Sequence, residues 1–170
     1  MNRGEARARL VRCARAAIRL WALAGGALLV AIVLLTAYSA GANLLLHRPV
    51  PGDFELVEMG IAVAVACFLP YCQLTNANVT VDIFTARAGP RLLAALALLA
   101  SLTALLFAAL LLWRMGFGFL DYRAYQEFTP IIGIPLWAVF PPFLVSLGLL
   151  LVASLLTAAE QVAALRRGST

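Results

Sequence analysis

Three stretches of this sequence are long, apolar and free of charge, and they limit what the chain can fold into. No Asp, Glu, Lys or Arg occurs over residues 20–47, 92–113 or 128–159. A shorter apolar run covers residues 54–74. A helix crosses the hydrocarbon core of a bilayer with about 20 apolar residues, and only helices and closed barrels satisfy their backbone polar groups there. Because the runs lack the alternation of barrel strands, the sequence predicts an all-α integral membrane protein with four transmembrane helices.

The composition agrees with this fold class. Hydrophobic residues make up 64% of the chain and charged residues 12%, which is too apolar for a soluble domain of this length. The short links leave no room for a soluble domain. The sequence predicts a single membrane domain over residues 1–170, with a basic segment 1–19, spans 20–46, 54–74, 92–115 and 131–157, an amphipathic connector 75–90, and a tail 158–170.

The basic residues, all of them Arg, predict the orientation of the chain. Ten lie in the N-terminal segment, the link after the second span and the C-terminal tail, and three lie in the other two links. The positive-inside rule then places both termini in the cytoplasm. We also expect the protein to lie in the inner, cytoplasmic membrane of the cell. The net charge of +5 comes mostly from Arg residues of the N-terminal segment, which adjoin the first span. It therefore indicates a lipid surface as partner rather than nucleic acid.

The N-terminal region allows two interpretations. Residues 5–19 have a basic amphipathic pattern that is typical of a helix lying on an anionic leaflet before it enters the membrane. Alternatively, residues 1–42 are a cleaved secretory signal, with small residues 39–42 near the cleavage site. The nineteen-residue basic region and an apolar run longer than the usual 7–15 residues favour an uncleaved first span.

Residues that could support catalysis or coupled transport are not visible in the spans. No carboxylate, His or Arg lies at the middle of a span, where ion-coupled carriers and proton relays usually need one. The cysteines are Cys13, Cys67 and Cys72, and the one histidine is His47. Their spacing fits neither a disulfide nor a metal site. We therefore expect no enzyme activity, no cofactor and no metal.

The turns between spans and the small residues within the spans give further predictions about local structure. Asp53 and Glu55 are predicted to cap the second span, while Glu58 lies deeper and could also meet a partner. Small residues four apart in spans two and three favour close helix packing, within the chain or with another subunit. Residues 116–130 are predicted to be an aromatic-rich outer connection, and Pro141-Pro142 should kink the fourth span or delay its start.

The segment after the second span is the most informative polar cluster. Read as a helix, it has one polar and one apolar stripe, formed by Asn78, Asp82 and Thr85 and by Val79, Ile83 and Ala86. Gly89-Pro90 ends it before the third span. This pattern predicts an amphipathic connector at the membrane interface. The alternative is an Asx-capped helix end with Asp82 in solvent.

Two motifs give the sequence a resemblance to a known family. They are Asn76-Ala77-Asn78-Val79-Thr80-Val81-Asp82 after the second span and Ile134-Pro135-Leu136-Trp137 opening the fourth. Over about residues 15–160 the chain resembles the small membrane subunit of tripartite ATP-independent periplasmic (TRAP) transporters. Asn78 stands where that family often has His.

The resemblance implies a function, partners and site residues. The implied function is a non-catalytic small permease subunit that scaffolds a large permease subunit during sodium-coupled uptake of an organic acid. A periplasmic substrate-binding protein would deliver that acid. The resemblance implies connector or subunit contacts at Asn76, Asn78, Asp82 and Arg87, and a motif opening span four at Pro135 and Trp137.

Two other functions remain open from the sequence. The chain could be a self-sufficient small carrier or channel that acts as a homo-oligomer. It could also be a membrane anchor of a respiratory enzyme, although a haem site there would usually need paired His ligands and the chain has one His.

Overall fold

The computed structural model describes residues 3–75 and 89–167, and the regular elements of this part are helices, with no strand. Four helices of that part are long and apolar enough to cross a membrane, which confirms the predicted all-α architecture with four spans. They are α1 (Arg3–Leu46), α2 (Asp53–Leu74), α3 (Pro90–Tyr125) and α4 (Phe140–Arg167), with a 3-10 turn over Leu136–Val139 before α4.

The helices alternate in direction, so the molecule has two distinct ends. The loop end carries the α1–α2 connection, residues 47–52, and the α3–α4 connection, residues 126–139. The terminal end carries the start of α1 and the end of α4. There Arg15 of α1 forms an ion pair with Glu160 of α4, both half exposed.

The α1–α2 pair packs through residues spaced seven apart. Gly25 lies against Cys67 and Gly60 lies against Ile32, and the Ser39 hydroxyl donates a hydrogen bond to Asp53. A seven-residue period is the signature of left-handed packing at a crossing angle of about 20°. The small residues predicted to promote close packing at Gly60 and Ala64 therefore serve this contact within the chain.

Helix α4 is the element that contacts all the others. It packs extensively on α2 and α3 and meets α1 near the terminal end, whereas α3 makes at most marginal contact with α1 or α2. Two polar contacts hold α4 in place. Trp21 Nε1–H donates to Ser146 Oγ at 2.8 Å in a partly buried contact, and Gln73 Nε2–H donates to Thr157 Oγ1 at 3.1 Å in a buried one. The result is an open arrangement in which α3 is held mainly by α4.

Some of the small residues of α3 pack inside the chain. Ser101 and Ala108 are buried, at 2% and 0% exposure, while Ala100 on the same helix is exposed. Since α4 is the helix that packs extensively on α3, we assign this burial to the α3–α4 contact. Small side chains at these positions let two backbones approach closely.

Helix α3 extends well beyond the predicted span. It continues to Tyr125, so residues 116–125 are helical rather than part of the outer connection. Aromatic contacts account for the extension. The ring of Phe140 lies 6.2 Å from that of Phe119 and 5.2 Å from that of Tyr122, at separations where aromatic pairs attract.

Helix α1 differs from the sequence-based expectation, whereas the start of α4 agrees with it. Helix α1 is one uninterrupted 44-residue helix, so residues 5–19 continue the first span instead of forming a separate surface helix. Helix α4 begins late, at Phe140, with Pro141 and Pro142 in its first turn. Proline is tolerated there because the first amide groups of a helix have no partner within it. The expectation of a delayed start is thus correct.

Candidate functional site

The carboxylate of Glu55 joins the start of α2 to the α3–α4 connection. The backbone N–H of Ile131 donates to Glu55 Oε1 at 2.8 Å, and that of Ile132 donates to Oε2 at 3.1 Å. Glu55 is 8% exposed. Hydrogen bonds to a charged acceptor are stronger than neutral ones, so this contact fixes the tip of the connection. Glu55 was predicted to cap its own helix, and the structure gives it these distant partners.

The connection that Glu55 holds is itself an ordered loop. The N–H of Thr129 donates to the carbonyl of Ile134 at 2.9 Å, and the N–H of Ile134 donates to Thr129 Oγ1 at 3.0 Å. Gly133 has φ +72°, a conformation that glycine adopts without strain. Residues 129–134 thus form a closed turn whose remaining amide groups face Glu55.

A second set of contacts closes the α1–α2 turn beside this loop. Asp53 accepts from the hydroxyl of Ser39 and from the N–H of Phe54, and the N–H of Val50 donates to Ser39 Oγ at 3.2 Å. Asp53 is the first residue of α2, and Gly52 is its N-cap. The prediction that Asp53 caps α2 is therefore wrong, because Gly52 is the N-cap and no side chain of the described residues caps the helix there. The Asp53 carboxylate instead binds the N–H of the next residue and holds the start of α2 to Ser39 of α1.

The two residues of the predicted span-four motif lie at the same end. Pro135 precedes the 3-10 turn and pairs with Phe128 in an isolated bridge. Trp137 packs edge-on against Phe119 of α3, with ring centroids 6.5 Å apart. The motif thus shapes the entry into α4 and belongs to the loop that Glu55 anchors.

An apolar groove opens beside the anchored loop, between α2 and α3 with α4 behind them. Its upper part has a volume of about 520 Å³, and an adjoining part of about 170 Å³ shares Ala62, Val139 and Phe140 with it. We call both parts together the loop-end groove. The upper part is lined by Phe54, Glu55, Glu58, Met59, Ala62, Tyr122, Phe128, Thr129, Pro130, Ile131, Leu136, Val139 and Phe140, and the lower part adds Met115 and Phe143.

The predicted connector residues cannot be placed against this geometry. Asn76, Asn78, Asp82 and Arg87 lie outside the described residues. The helix end that precedes them is well anchored, because Gln73 is 5% exposed and bonded to Thr157 of α4. The described part of α2 therefore ends in a position that α4 fixes, at the terminal end.

Sequence reasoning missed the partner of Glu55. The two amides that it binds lie more than seventy residues away along the chain, and no local pattern connects them. One signal was present: the run Thr129-Pro130-Ile131-Ile132-Gly133 combines turn residues with two large apolar side chains. Such a turn needs a contact that holds it in place, and Glu55 at the start of α2 provides that contact.

Comparison with known protein families shows the family to which the chain belongs. No curated protein and no solved structure matches it significantly. The family model described as "Tripartite ATP-independent periplasmic transporters, DctQ component" matches residues 31–164, which is most of the chain. That family consists of transporter components rather than enzymes. With four apolar helices over the same region, the chain belongs to the DctQ family and is the small membrane component of a TRAP transporter.

Proposed function

We propose that this chain is a non-catalytic scaffold for a large permease subunit, which carries the substrate and sodium sites of the transporter. A periplasmic binding protein delivers an organic acid to the pair. The observation that carries this proposal is the family match over residues 31–164. The open packing of α3 also supports this proposal. Because α3 packs mainly on α4, long helix faces remain free for a second protein.

The distribution of charge supports a scaffolding role. In α1 the charged residues precede Leu20, and in α2 they are confined to the first six residues. Groups that bind or relay ions are expensive inside a membrane and mark the transport path where they occur. Their scarcity here favours a transport path in the partner subunit.

We further propose that the terminal end lies in the cytoplasm and the loop end in the periplasm, in the inner membrane. The ten-to-three distribution of Arg supports this orientation. The connector with Asn76, Asn78, Asp82 and Arg87 then lies on the cytoplasmic side, where it contacts the large subunit. The anchored loop with Pro135 and Trp137 faces the binding protein's compartment.

The experiment compares the chain alone with the complete system. Reconstituted alone in vesicles with an inward sodium gradient, the chain should take up no organic acid, and with the large subunit and the binding protein it should support uptake. Uptake by the chain alone would instead favour a homo-oligomeric carrier, and failure to copurify with the large subunit would refute the proposal.

The connector is tested in the same system with Asp82→Ala. If the carboxylate holds the connector or contacts the large subunit, its loss removes about 1.5–3 kcal/mol, and assembly or uptake falls while membrane insertion is unchanged. Asp121→Ala is the control, since Asp121 is exposed on α3 and has no partner in the described structure. Wild-type uptake and copurification with Asp82→Ala would mean that the connector is a solvated turn.

A further inference from the structure

Glu58 is an unpaired carboxylate within a membrane-spanning helix. It lies about 7.5 Å along α2 from Asp53, at 1.5 Å per residue. It is exposed, and it makes no hydrogen bond or ion pair with any residue of the described structure. Its two neighbours are occupied, Asp53 by Ser39 and Glu55 by the α3–α4 connection. Glu58 is thus the carboxylate of α2 that remains available to another molecule.

The surroundings of Glu58 are mostly apolar, although Tyr122 and Thr129 also line the loop-end groove. Glu58 lines this groove together with Met59, Ala62 and Phe140. The groove exists because α2 and α3 are not packed on each other, and its far end is bounded by residues 128–131 of the anchored loop. A carboxylate in such a setting is unfavourable in a membrane unless a cation or a hydrogen-bond donor meets it.

The same face of α2 stays open further along the helix. Ile61, Val65 and Leu69 follow Glu58 at intervals of three or four residues, which places them on one face, and they are 44%, 52% and 40% exposed. An apolar face of this length suits a second helix lying alongside α2. The Glu58 carboxylate at the start of this face favours an apolar helix that carries a positive charge at the same level.

We propose that a transmembrane helix of the large permease subunit lies along this face of α2, and that a Lys or Arg near its outer end pairs with Glu58. This inference rests on the proposed function. A helix fits better than a lipid amine, because a headgroup lies at the bilayer surface, whereas Glu58 lies more than one turn below the first residue of α2. The partner's cation also neutralises the charge for which the described residues provide no counterion.

The first test locates the occupant with a photo-crosslinking amino acid at Ala62, in membranes that contain the complete transporter. We expect an adduct with the large subunit. An adduct with a second copy of this chain, or with lipid alone, would overturn the inference. In either case, copurification of the wild-type chain with the large subunit would leave the proposed function intact.

The second test uses charge reversal. Glu58→Arg should weaken copurification with the large subunit about tenfold, a size typical of a polar contact between membrane helices, and Asp121→Arg should leave it unchanged. Glutamate substitutions are then scanned over the Lys and Arg residues at the outer helix ends of the large subunit. We expect one of them to restore binding to the Glu58→Arg chain. Undiminished binding of Glu58→Arg, or no restoring substitution, would overturn the pairing.

Discussion

Gly52 lies directly against the side chain of Ile132, so that a Cβ atom at Gly52 would stand 2.1 Å from Ile132 Cγ1. Gly52 also has φ +71°. The N-cap of α2 and the tip of the α3–α4 connection therefore fit together only when position 52 carries no side chain. Glu55 reinforces this contact one turn later by binding the amides of Ile131 and Ile132.

The substitution Gly52→Ala should destabilise the protein by about 2–4 kcal/mol, because it combines a left-handed backbone with a steric clash. Gly133→Ala is the matched control. Gly133 has φ +72°, but nothing lies within 4 Å of its Cβ position, so the cost there is the backbone strain alone, about 1 kcal/mol. Thermal unfolding in detergent, followed by circular dichroism, measures both. Equal losses would mean that the contact with Ile132 contributes nothing.

The substitution Glu55→Gln should release the α3–α4 connection. It removes the charge from the acceptor of two backbone N–H groups, and we expect a loss of about 1.5–3 kcal/mol at this contact. The measurement is hydrogen exchange at the amides of Ile131 and Ile132, which should accelerate. Glu127→Gln serves as control, because the Glu127 side chain has no partner in the described structure. Unchanged protection in the Glu55→Gln protein would contradict the anchoring role.

Two adjacent glycines in α1 should respond in opposite ways to the same change. A Cβ at Gly25 would lie 2.6 Å from the Cβ of Cys67, whereas nothing lies within 4 Å of a Cβ at Gly26. We expect Gly25→Ala to destabilise the protein by about 1–3 kcal/mol. Gly26→Ala should be neutral or stabilise it by up to about 1 kcal/mol, since Ala favours helix. Denaturation in mixed micelles compares them, and similar behaviour of the two would refute the α1–α2 register.

Two serines of α4 form a second matched pair. Ser146 accepts the hydrogen bond of Trp21 Nε1, while the buried Oγ of Ser154 has no partner within the described residues. Ser146→Ala leaves the indole N–H unsatisfied and should cost about 1–2 kcal/mol, with a shift in tryptophan emission. Ser154→Ala removes an unpaired polar atom and should be neutral or stabilising. A larger loss for Ser154→Ala would contradict this assignment.

The fold class followed from the sequence because hydrocarbon imposes a length and a composition that are visible without any contact. The late start of α4 also followed from the sequence, because Pro141 and Pro142 act on their own backbone and need no distant contact. The extension of α3 to Tyr125 did not follow, since it depends on Phe140 packing against Phe119 and Tyr122 from another helix. A glycine-containing aromatic segment has no local feature that reveals such a partner.

The site was predictable to a smaller extent. Pro135 and Trp137 were singled out through a contiguous motif, and the structure places both in the loop that Glu55 anchors. Glu58 was singled out as a possible partner contact because an acid beyond the first turn exceeds what capping requires. The anchoring of residues 131 and 132 by Glu55 was hidden, because a hydrogen bond to a backbone amide leaves no trace in the identity of the donor residue.

Helix α1 is longer than the helix it packs against, and this has a consequence for the surrounding lipid. Ser39 stands opposite the first residue of α2, so residues 40–46 continue about 10 Å further, ending in Leu44, Leu45 and Leu46, which are at least 70% exposed. The apolar run of α1 from Leu20 is about 40 Å long, against a hydrocarbon core of about 30 Å. The protein therefore has unequal hydrophobic thickness along its edge. A flat bilayer cannot match both α1 and α2, and this mismatch favours bilayers or neighbouring proteins that are thicker at the α1 edge.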